Sequence, residues 1–455
     1  MNWTNIISEK RSETDPKYTG PRSEYQIDFD RLIFSSGFRR LQNKTQVFPL
    51  PGSTFVHNRL THSLEVASVG RSLGKIVGSQ IAAKHPELPE ETTHFYNYEL
   101  SNVVAAACLA HDIGNPAFGH SGEKAISNYF KEYKSEVIEG VALKDYFNAK
   151  EWSDFQNFEG NANAIRILTH QFNGKSEGGM KLTYATLAAI LKYPCESVAY
   201  DKNLKHRKKY GFFQSEKDTV LRICKSLNML EESADPTSYK RHPFVYLTEA
   251  ADDICYRVID LEDAQRLGIL PSVEAEGLLA MLLESLGENM DKVNNTLNRI
   301  SDKNERISYL RARSINALIT QTVEIFSQYS DEIITGTYND TLIDALQDRC
   351  PALQEILKVS VDKIYNHDSV IEIEIAGYNV MSDILSMMVP AVLKQSPSHK
   401  DKKVLRLLPE QFLFSKEATA YERVLSVLDF VSGMTDSYAT ELYRKVFGIE
   451  IPKHG

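Results

Sequence analysis

The sequence predicts an all-α protein with a few short strands, and three observations carry that expectation. Apolar residues recur at helical spacing, as in the stripe Ile307, Leu310, Leu318 and Ile325 and the run Leu247, Ala250, Ala251, Ile254 and Val258. Strict alternation, the mark of a half-buried strand, is confined to Val370–Ile375 (VIEIEI), which Gly377 should turn; a second, partly β-branched stretch, Leu41–Leu50, stops at Pro49 and Pro51. No Pro/Ser/Gly-rich linker divides the 455 residues, so one large helical body over 1–455 is expected, with a core at 28–270 and a C-terminal helical region at 271–455.

Composition bounds the function. An apolar content of 42% and a charged content of 25% are those of an ordinary globular chain with ample material for a core. The formal net charge of −9 excludes a surface uniformly basic toward nucleic acid, although it leaves room for a local basic cleft. The five cysteines, at 108, 195, 224, 255 and 350, are dispersed, odd in number and without CxxC spacing, so they read as reduced and buried, with no disulfide or zinc framework. The opening MNWTNIISEKRSETD lacks an apolar signal core, and no run of about 18 apolar residues occurs. A cytoplasmic protein with no membrane partner is the expectation.

Taken in order, Asn2–Tyr25 carries several charges and few aliphatics and should wrap the surface. Asp28–Arg40 has helical spacing at Phe29, Leu32, Ile33 and Phe38, with Gly37 as an early break. Leu60–Ala83 and Leu100–Leu109 are two helices joined by an acidic loop, and Ala105–Ala107 lets the second pack closely. Glu123–Tyr133 is a further helix that runs into a charged, solvent-facing segment. Asp154–Phe172 contains FEGNANAIR, where Asn161 stands at a helix start with amides free for an anion. Lys181–Tyr193 ends in Lys192-Tyr193 ahead of Pro194. The stretch DKNLKHRKKYGFFQSEKD, with Lys209 beside Tyr210, Phe212 and Phe213, is either a solvated loop or a lid over phosphates. Helices follow at Tyr246–Asp263, Val273–Leu286 and Tyr421–Phe447.

The chemistry concentrates in Cys108–Glu123, CLAHDIGNPAFGHSGE. Adjacent helical residues diverge by about 100°, so His111 and Asp112 cannot both enter the core, but they can straddle one divalent cation with an imidazole and a carboxylate. The plain alternative is a helix cap and an amide-bonding aspartate. A second pair, His367-Asp368, follows Tyr-Asn and precedes Ser, so it reads as a polar turn with no metal. Upstream, His62 shares a face with Val66 and Val69 and can point inward. Downstream, acidic residues lie among the apolar positions of Tyr246–Asp263, where charge is costly unless paired or ligating.

The order His62, His111-Asp112, Asp252 resembles the signature of the HD-domain metal-dependent phosphohydrolases. More narrowly, the chain resembles the bacterial deoxyguanosine triphosphate triphosphohydrolases. The similarity runs through FRRLQNKTQVFPL, RLTHSLEV, HDIGNPAFGHSGE, FEGNA, ILKYP, EAADDICY and SGMTD, seven ordered blocks from Phe38 to Asp436. The resemblance implies hydrolysis of a deoxynucleoside triphosphate, dGTP first among them, to the deoxynucleoside and inorganic triphosphate. It implies Mg²⁺ or Mn²⁺ held by His62, His111, Asp112 and Asp252, the last chosen over Asp253 by family register. His120 and Glu123 would transfer a proton or orient water. Arg59, Lys192 and Lys209 would meet the phosphates, with Asn161 and Tyr193 as neutral donors, and Arg39 would lie nearby. Gln46 and Asp260 would read the sugar 3′-hydroxyl, and Tyr256 would pack against the deoxyribose and exclude a 2′-hydroxyl. A homo-oligomer, a hexamer by resemblance, and binding of single-stranded DNA are further implications. Two other functions compete: an HD-type nucleotide phosphatase or phosphodiesterase, and a non-catalytic nucleotide-sensing, single-strand-DNA-binding scaffold.

Overall fold

The structure is a computed structural model and describes residues 1–12, 20–48, 56–175 and 178–450. Its organising element is the 26-residue helix Arg59–Lys84, started by a capping box in which the Asn58 side chain accepts from Thr61 N. Gly70, Gly74 and Gly78 stripe one face of it. A Cβ at Gly74 would lie 2.9 Å from Ser101 Cα, and one at Gly78 only 2.0 Å from Tyr96 O. The second helix, Leu100–Ala110, therefore lies almost backbone to backbone on the first. The small residues the packing needs are on both partners, not only at Ala105–Ala107. Helix Val245–Arg266 packs against this pair, and Lys303–Gln328 packs against both Arg59–Lys84 and Val245–Arg266.

Two apolar clusters result. The larger surrounds the helix pair and includes Val66, Leu73, Val104, Ala107, Leu247, Ile254 and Leu318. The smaller joins Gly119–Glu132, Asp368–Leu393 and Ala420–Ser432 through Ile126, Phe130, Phe155, Met381, Ile384, Leu385 and Leu428. Strand content among the described residues is two antiparallel hairpins, Val137–Ile138 with Val141–Ala142 and Glu231–Ala234 with Thr237–Tyr239, plus isolated bridges such as Thr45 with Asn58. The five cysteines are free and buried.

Several expectations are corrected. Val370–Ile375 is not a strand: it lies in the helix Asp368–Leu393, where Val370, Gly377, Val380, Met381, Ile384 and Leu385 form the buried face. Six alternating residues satisfy both periods, and the long apolar continuation decides for the helix. His367 is its N-cap, accepting from Ser369 N, and Gly377 is a notch for Phe118, whose side chain a Cβ there would approach to 2.4 Å. This helix is long and apolar enough to cross a membrane, unlike the sequence expectation, and half of its most apolar window is buried inside the protein. Leu41–Asn43 is a 3-10 turn, and Pro49–Pro51, the expected end of that stretch, lie outside the described residues. Asp28–Arg40 divides into Glu24–Ile33 and Ser36–Arg40, with Ser35 capping the second two residues before Gly37. The N-terminal segment is no surface wrap: Trp3 and Ile6 are buried, and Tyr96 Oη donates to Trp3 O at 2.6 Å.

The segment 429–436 fastens the region around His111. Arg166 forks onto Asp429 through Nε and Nη2, both at 2.7 Å. Lys44 Nζ donates to Asn115 O at 2.6 Å and to Ser432 O at 2.9 Å. The Asp436 carboxylate accepts from Thr45 N at 2.8 Å and Phe118 N at 2.9 Å.

Candidate active site

His62 sits in the first turn of Arg59–Lys84 and faces the core, and His111 stands at the C-cap of Leu100–Ala110, where the chain turns away. His111 Nδ1 lies 2.6 Å from Cys108 O, which keeps a proton on that nitrogen and aims Nε2 at the acidic side chains. Among the described residues buried Nε2 has no hydrogen-bond partner; Asp252 Oδ1 at 3.4 Å and Asp112 Oδ1 at 3.6 Å face it, and their charge favours a cation on it, a proton or a metal. Asp252, from the middle of Val245–Arg266, places Oδ1 at 3.0 Å from His62 Nε2. His62, His111 and Asp112 offer ligand atoms within 4.8 Å of one another.

The separations of 3.0, 3.4 and 3.6 Å that tie Asp252 to His62 and His111, and His111 to Asp112, are close to those one metal imposes. Ligand atoms about 2.1 Å from one ion stand about 3.0–3.5 Å apart in tetrahedral or octahedral coordination. The donor set, two imidazoles and two carboxylates, is that of a borderline or hard divalent ion. The electrostatics agree: burial opposes the His111 cation, yet Asp112 and Asp252 outweigh it and raise the group to about 9. Burial likewise opposes ionisation of Asp252, and the two imidazoles hold its carboxyl well below the usual range. An orphaned imidazole nitrogen facing two carboxylates is a pocket prepared for positive charge.

Asp112 is oriented from behind. Its Oδ2 accepts from Arg59 Nη1 at 2.6 Å and its Oδ1 from Asn115 Nδ2 at 2.6 Å. Burial disfavours its charged form, but Arg59, His111 and His62 keep it low. Arg59 reaches across Gly119, where φ is +56° and a Cβ would stand 2.5 Å from Nη2, so both conformation and space demand glycine.

The cleft in front has a volume of about 420 Å³. His120 and Glu123 line one wall, with His120 Nδ1 at 2.8 Å from Glu123 Oε2, while Glu123 Oε1 accepts from Gly160 N at 2.7 Å. Burial would raise Glu123, but His120 and Lys209 hold it low, so it faces the imidazole as an anion. Along the floor, Lys192 Nζ is 3.1 Å from Glu249 Oε1, and Arg241 Nη1 donates to Glu249 Oε2 at 2.9 Å. Lys209 Nζ and Asn161 Nδ2 both donate to Glu159 Oε1, at 2.8 and 2.7 Å. Tyr193 lies between, its ring centroid 5.9 Å from Lys192 Nζ.

Gln46, Tyr256 and Tyr365 also line the cleft, the Tyr256 ring 6.5 Å from that of His62. Gln46 Oε1 is buried without a partner among the described residues, and the Tyr256 and Tyr365 rings are 5.7 Å apart. Asp260 does not line the cleft as expected. It is buried beneath Tyr365, whose Oη donates to Asp260 Oδ2 at 2.7 Å, and burial pushes its carboxyl up to about 8. His62 also stands behind the lining, and Arg39 is exposed outside it.

The structure thus gathers His111, Asp112, Asp252, His120, Glu123, Gln46, Arg59, Asn161, Lys192, Tyr193, Lys209 and Tyr256 around one cleft, with His62 and Asp260 directly behind. Sequence reading missed Glu159, Glu249, Asn115 and Tyr365. The first three lie inside the blocks FEGNA, EAADD and HDIGN, beside residues that were singled out. Tyr365 stands two residues before the second His-Asp pair, and no local pattern marks it.

Comparison with known proteins gives two family matches: residues 59–263 match the HD domain, and residues 346–445 match the phosphohydrolase-associated domain. Among curated relatives, the chain is 37% identical to a deoxyguanosinetriphosphate triphosphohydrolase-like protein of Synechocystis sp., over 99% of this chain and 100% of the relative. It is 36% identical to a protein of the same description from Pseudomonas aeruginosa, with the same coverage. It is 30% identical to a deoxyguanosinetriphosphate triphosphohydrolase of Salmonella paratyphi A, over 99% of each chain.

Proposed function

Because the chain belongs to the family of bacterial deoxyguanosinetriphosphate triphosphohydrolase-like proteins, we propose that it is an enzyme that hydrolyses a deoxynucleoside triphosphate to the deoxynucleoside and inorganic triphosphate. The observation that carries the reading is that one cleft brings His111, Asp112 and Asp252, with His62 behind them, together with Lys192, Lys209, Asn161 and Tyr193 and with Tyr256, Tyr365 and Gln46.

Water attacks the α-phosphorus, the bond from phosphorus to the nucleoside 5′-oxygen breaks, and that oxygen takes a proton. Bound by His62, His111, Asp112 and Asp252, Mg²⁺ or Mn²⁺ would supply Lewis-acid polarisation of a phosphate oxygen. The protein's own residues do the rest. His120, held through Nδ1 by Glu123, leaves Nε2 free to move the proton, an effect worth roughly 10²–10⁴-fold. Lys192, Lys209, Tyr193 and Asn161 meet the triphosphate, where lysines act as point charges. Arg59 keeps Asp112 in register and faces the same cleft. Tyr256 packs on the deoxyribose and leaves no room for a 2′-hydroxyl, and Gln46 offers its unpaired Oε1 to the 3′-hydroxyl. Asp260 acts on the sugar only through Tyr365.

On this reading 28–270 holds the catalytic core, and 271–455 closes the cleft through Tyr365, Val370, Ile373 and Glu374. dGTP is the first substrate to test, from the relatives' names. Assembly as a homo-hexamer, single-stranded DNA binding and a cytoplasmic location follow from the family resemblance alone. The decisive experiment incubates purified protein with each dNTP and its ribo counterpart, with Mg²⁺ or Mn²⁺, and separates the products. Deoxynucleoside with inorganic triphosphate is expected. Nucleoside monophosphate or stepwise loss of phosphate overturns the reading in favour of a phosphatase or phosphodiesterase.

A further inference from the structure

The cleft holds two lysines, each facing a buried glutamate, but the two glutamates differ. Glu249 is already neutralised by Arg241, itself buried and fixed to Lys192 O at 3.1 Å and Lys205 O at 3.2 Å. If Lys192 turns to a ligand, Glu249 keeps a cation. Glu123 has His120 and the Gly160 amide. Glu159 has neither safeguard: its carboxylate is satisfied by Lys209 Nζ and Asn161 Nδ2, both landing on the single oxygen Oε1. The charged and titratable groups facing it are Glu123 of Gly119–Glu132 and Lys209 and Tyr210 of the basic loop. Two donors focused on one anionic oxygen at 2.7–2.8 Å is the arrangement they would make around a phosphate oxygen.

We propose that Glu159 is a built-in competitor for the polyphosphate: in the empty cleft its carboxylate occupies Lys209 and Asn161, and a bound triphosphate must displace it. This rests on the cleft being the polyphosphate site. The consequence concerns product. Inorganic triphosphate, freed of the nucleoside, carries high charge and would cling to a purely cationic floor. A carboxylate that reclaims both donors weakens its hold and speeds its departure, while also keeping Lys209 and Asn161 aimed between turnovers. Burial and the neighbouring Glu123 raise the Glu159 carboxyl, in keeping with an anion that depends on Lys209.

The test measures binding of inorganic triphosphate to the full-length protein by titration calorimetry, and its inhibition constant against the dNTP turned over. Glu159→Gln preserves shape and an acceptor but removes the charge. Triphosphate should bind about tenfold more tightly, or about 1.4 kcal/mol, and product inhibition should strengthen to match. Glu159→Asp withdraws the carboxylate by one methylene, and an intermediate tightening is expected; it serves if the Gln variant does not fold. In a Lys209→Ala background, where Asn161 alone is left to free, the Gln substitution should tighten binding by clearly less. Unchanged or weaker binding in Glu159→Gln, or tightening as large without Lys209 as with it, overturns the proposal. Failure of the underlying reading looks different: Lys209→Ala alone would then leave triphosphate binding at the wild-type level.

Discussion

Glu123→Gln isolates the proton-transfer pair. The Gly160 amide can only donate, so the Gln carbonyl oxygen must keep that bond, now 2.7 Å, and the amide nitrogen is turned toward His120 Nδ1, 2.8 Å from Oε2 today. A donor there forces His120 to accept on Nδ1 and carry its proton on Nε2, the nitrogen facing the cleft. The ring is then in the wrong tautomer, and no carboxylate stands behind its cation. General acid–base assistance is worth about 10²–10⁴-fold, so kcat should fall by about that factor, equivalent to about 3–5.5 kcal/mol. KM should barely move, because no substrate contact changes. The melting temperature should also hold, since the start of the helix Gly160–Thr169 keeps its bond. Steady-state kinetics on each variant with the preferred dNTP, alongside thermal unfolding, make the measurement. A loss in kcat smaller than tenfold, or a change confined to KM, would refute the assignment of His120 and Glu123.

Three further outcomes are expected. His111→Ala and Asp252→Asn should each weaken Mn²⁺ binding at least 10–100-fold by calorimetry while leaving the circular dichroism unchanged; unaltered affinity would remove these residues from the ligand set. Arg166→Met strips charge from a buried fork and abandons Asp429 and Glu216, a break that costs about 3–5 kcal/mol. With an unfolding entropy near 1 kcal/mol per kelvin for a chain this long, the melting temperature should drop by about 3–5 °C if the chain unfolds as one unit, and no shift would show the fork to be dispensable. His57 lies 2.8 Å from Asp263 and 3.1 Å from Glu65; burial opposes its cation, but the two carboxylates raise it to about 10. Its folded value exceeds the unfolded one, near 6.5. The contribution is therefore full below pH 6.5 and is lost as pH rises toward 10, about 1–3 kcal/mol after allowance for the half-exposed Glu65. His57→Gln should flatten the wild-type decline in stability across that window, and an unchanged slope would exclude this triad as its source.

Much of the fold was legible because long amphipathic helices announce themselves. Arg59–Lys84 and Val245–Arg266 lie within a few residues of where periodicity put them. Val370–Ile375 was misread because six alternating residues fit either period, and only the packing of Gly377 on Phe118 fixes the face. The same limit governs the site. His111-Asp112 and His120-Glu123 stand out through local spacing, whereas Tyr365 enters the cleft from a different part of the chain. Asp260 shows the converse: it was expected at the sugar by resemblance, and nothing local reveals that a tyrosine from a distant segment lies over it. Glu159 and Glu249 are ordinary acidic residues in sequence and acquire meaning only opposite Lys209 and Lys192.

The contacts made by residues 429–436 have a consequence for biosynthesis. Asp436 holds the backbone of Thr45 and of Phe118, and Ser432 O receives Lys44, so the turn that carries His111 and His120 is braced by residues translated more than three hundred positions later. A nascent chain on the ribosome can form its long helices early, but it lacks this brace until the C-terminal helices have emerged from the exit tunnel. A polypeptide cut short upstream of Asp429 is expected to leave that turn unbraced.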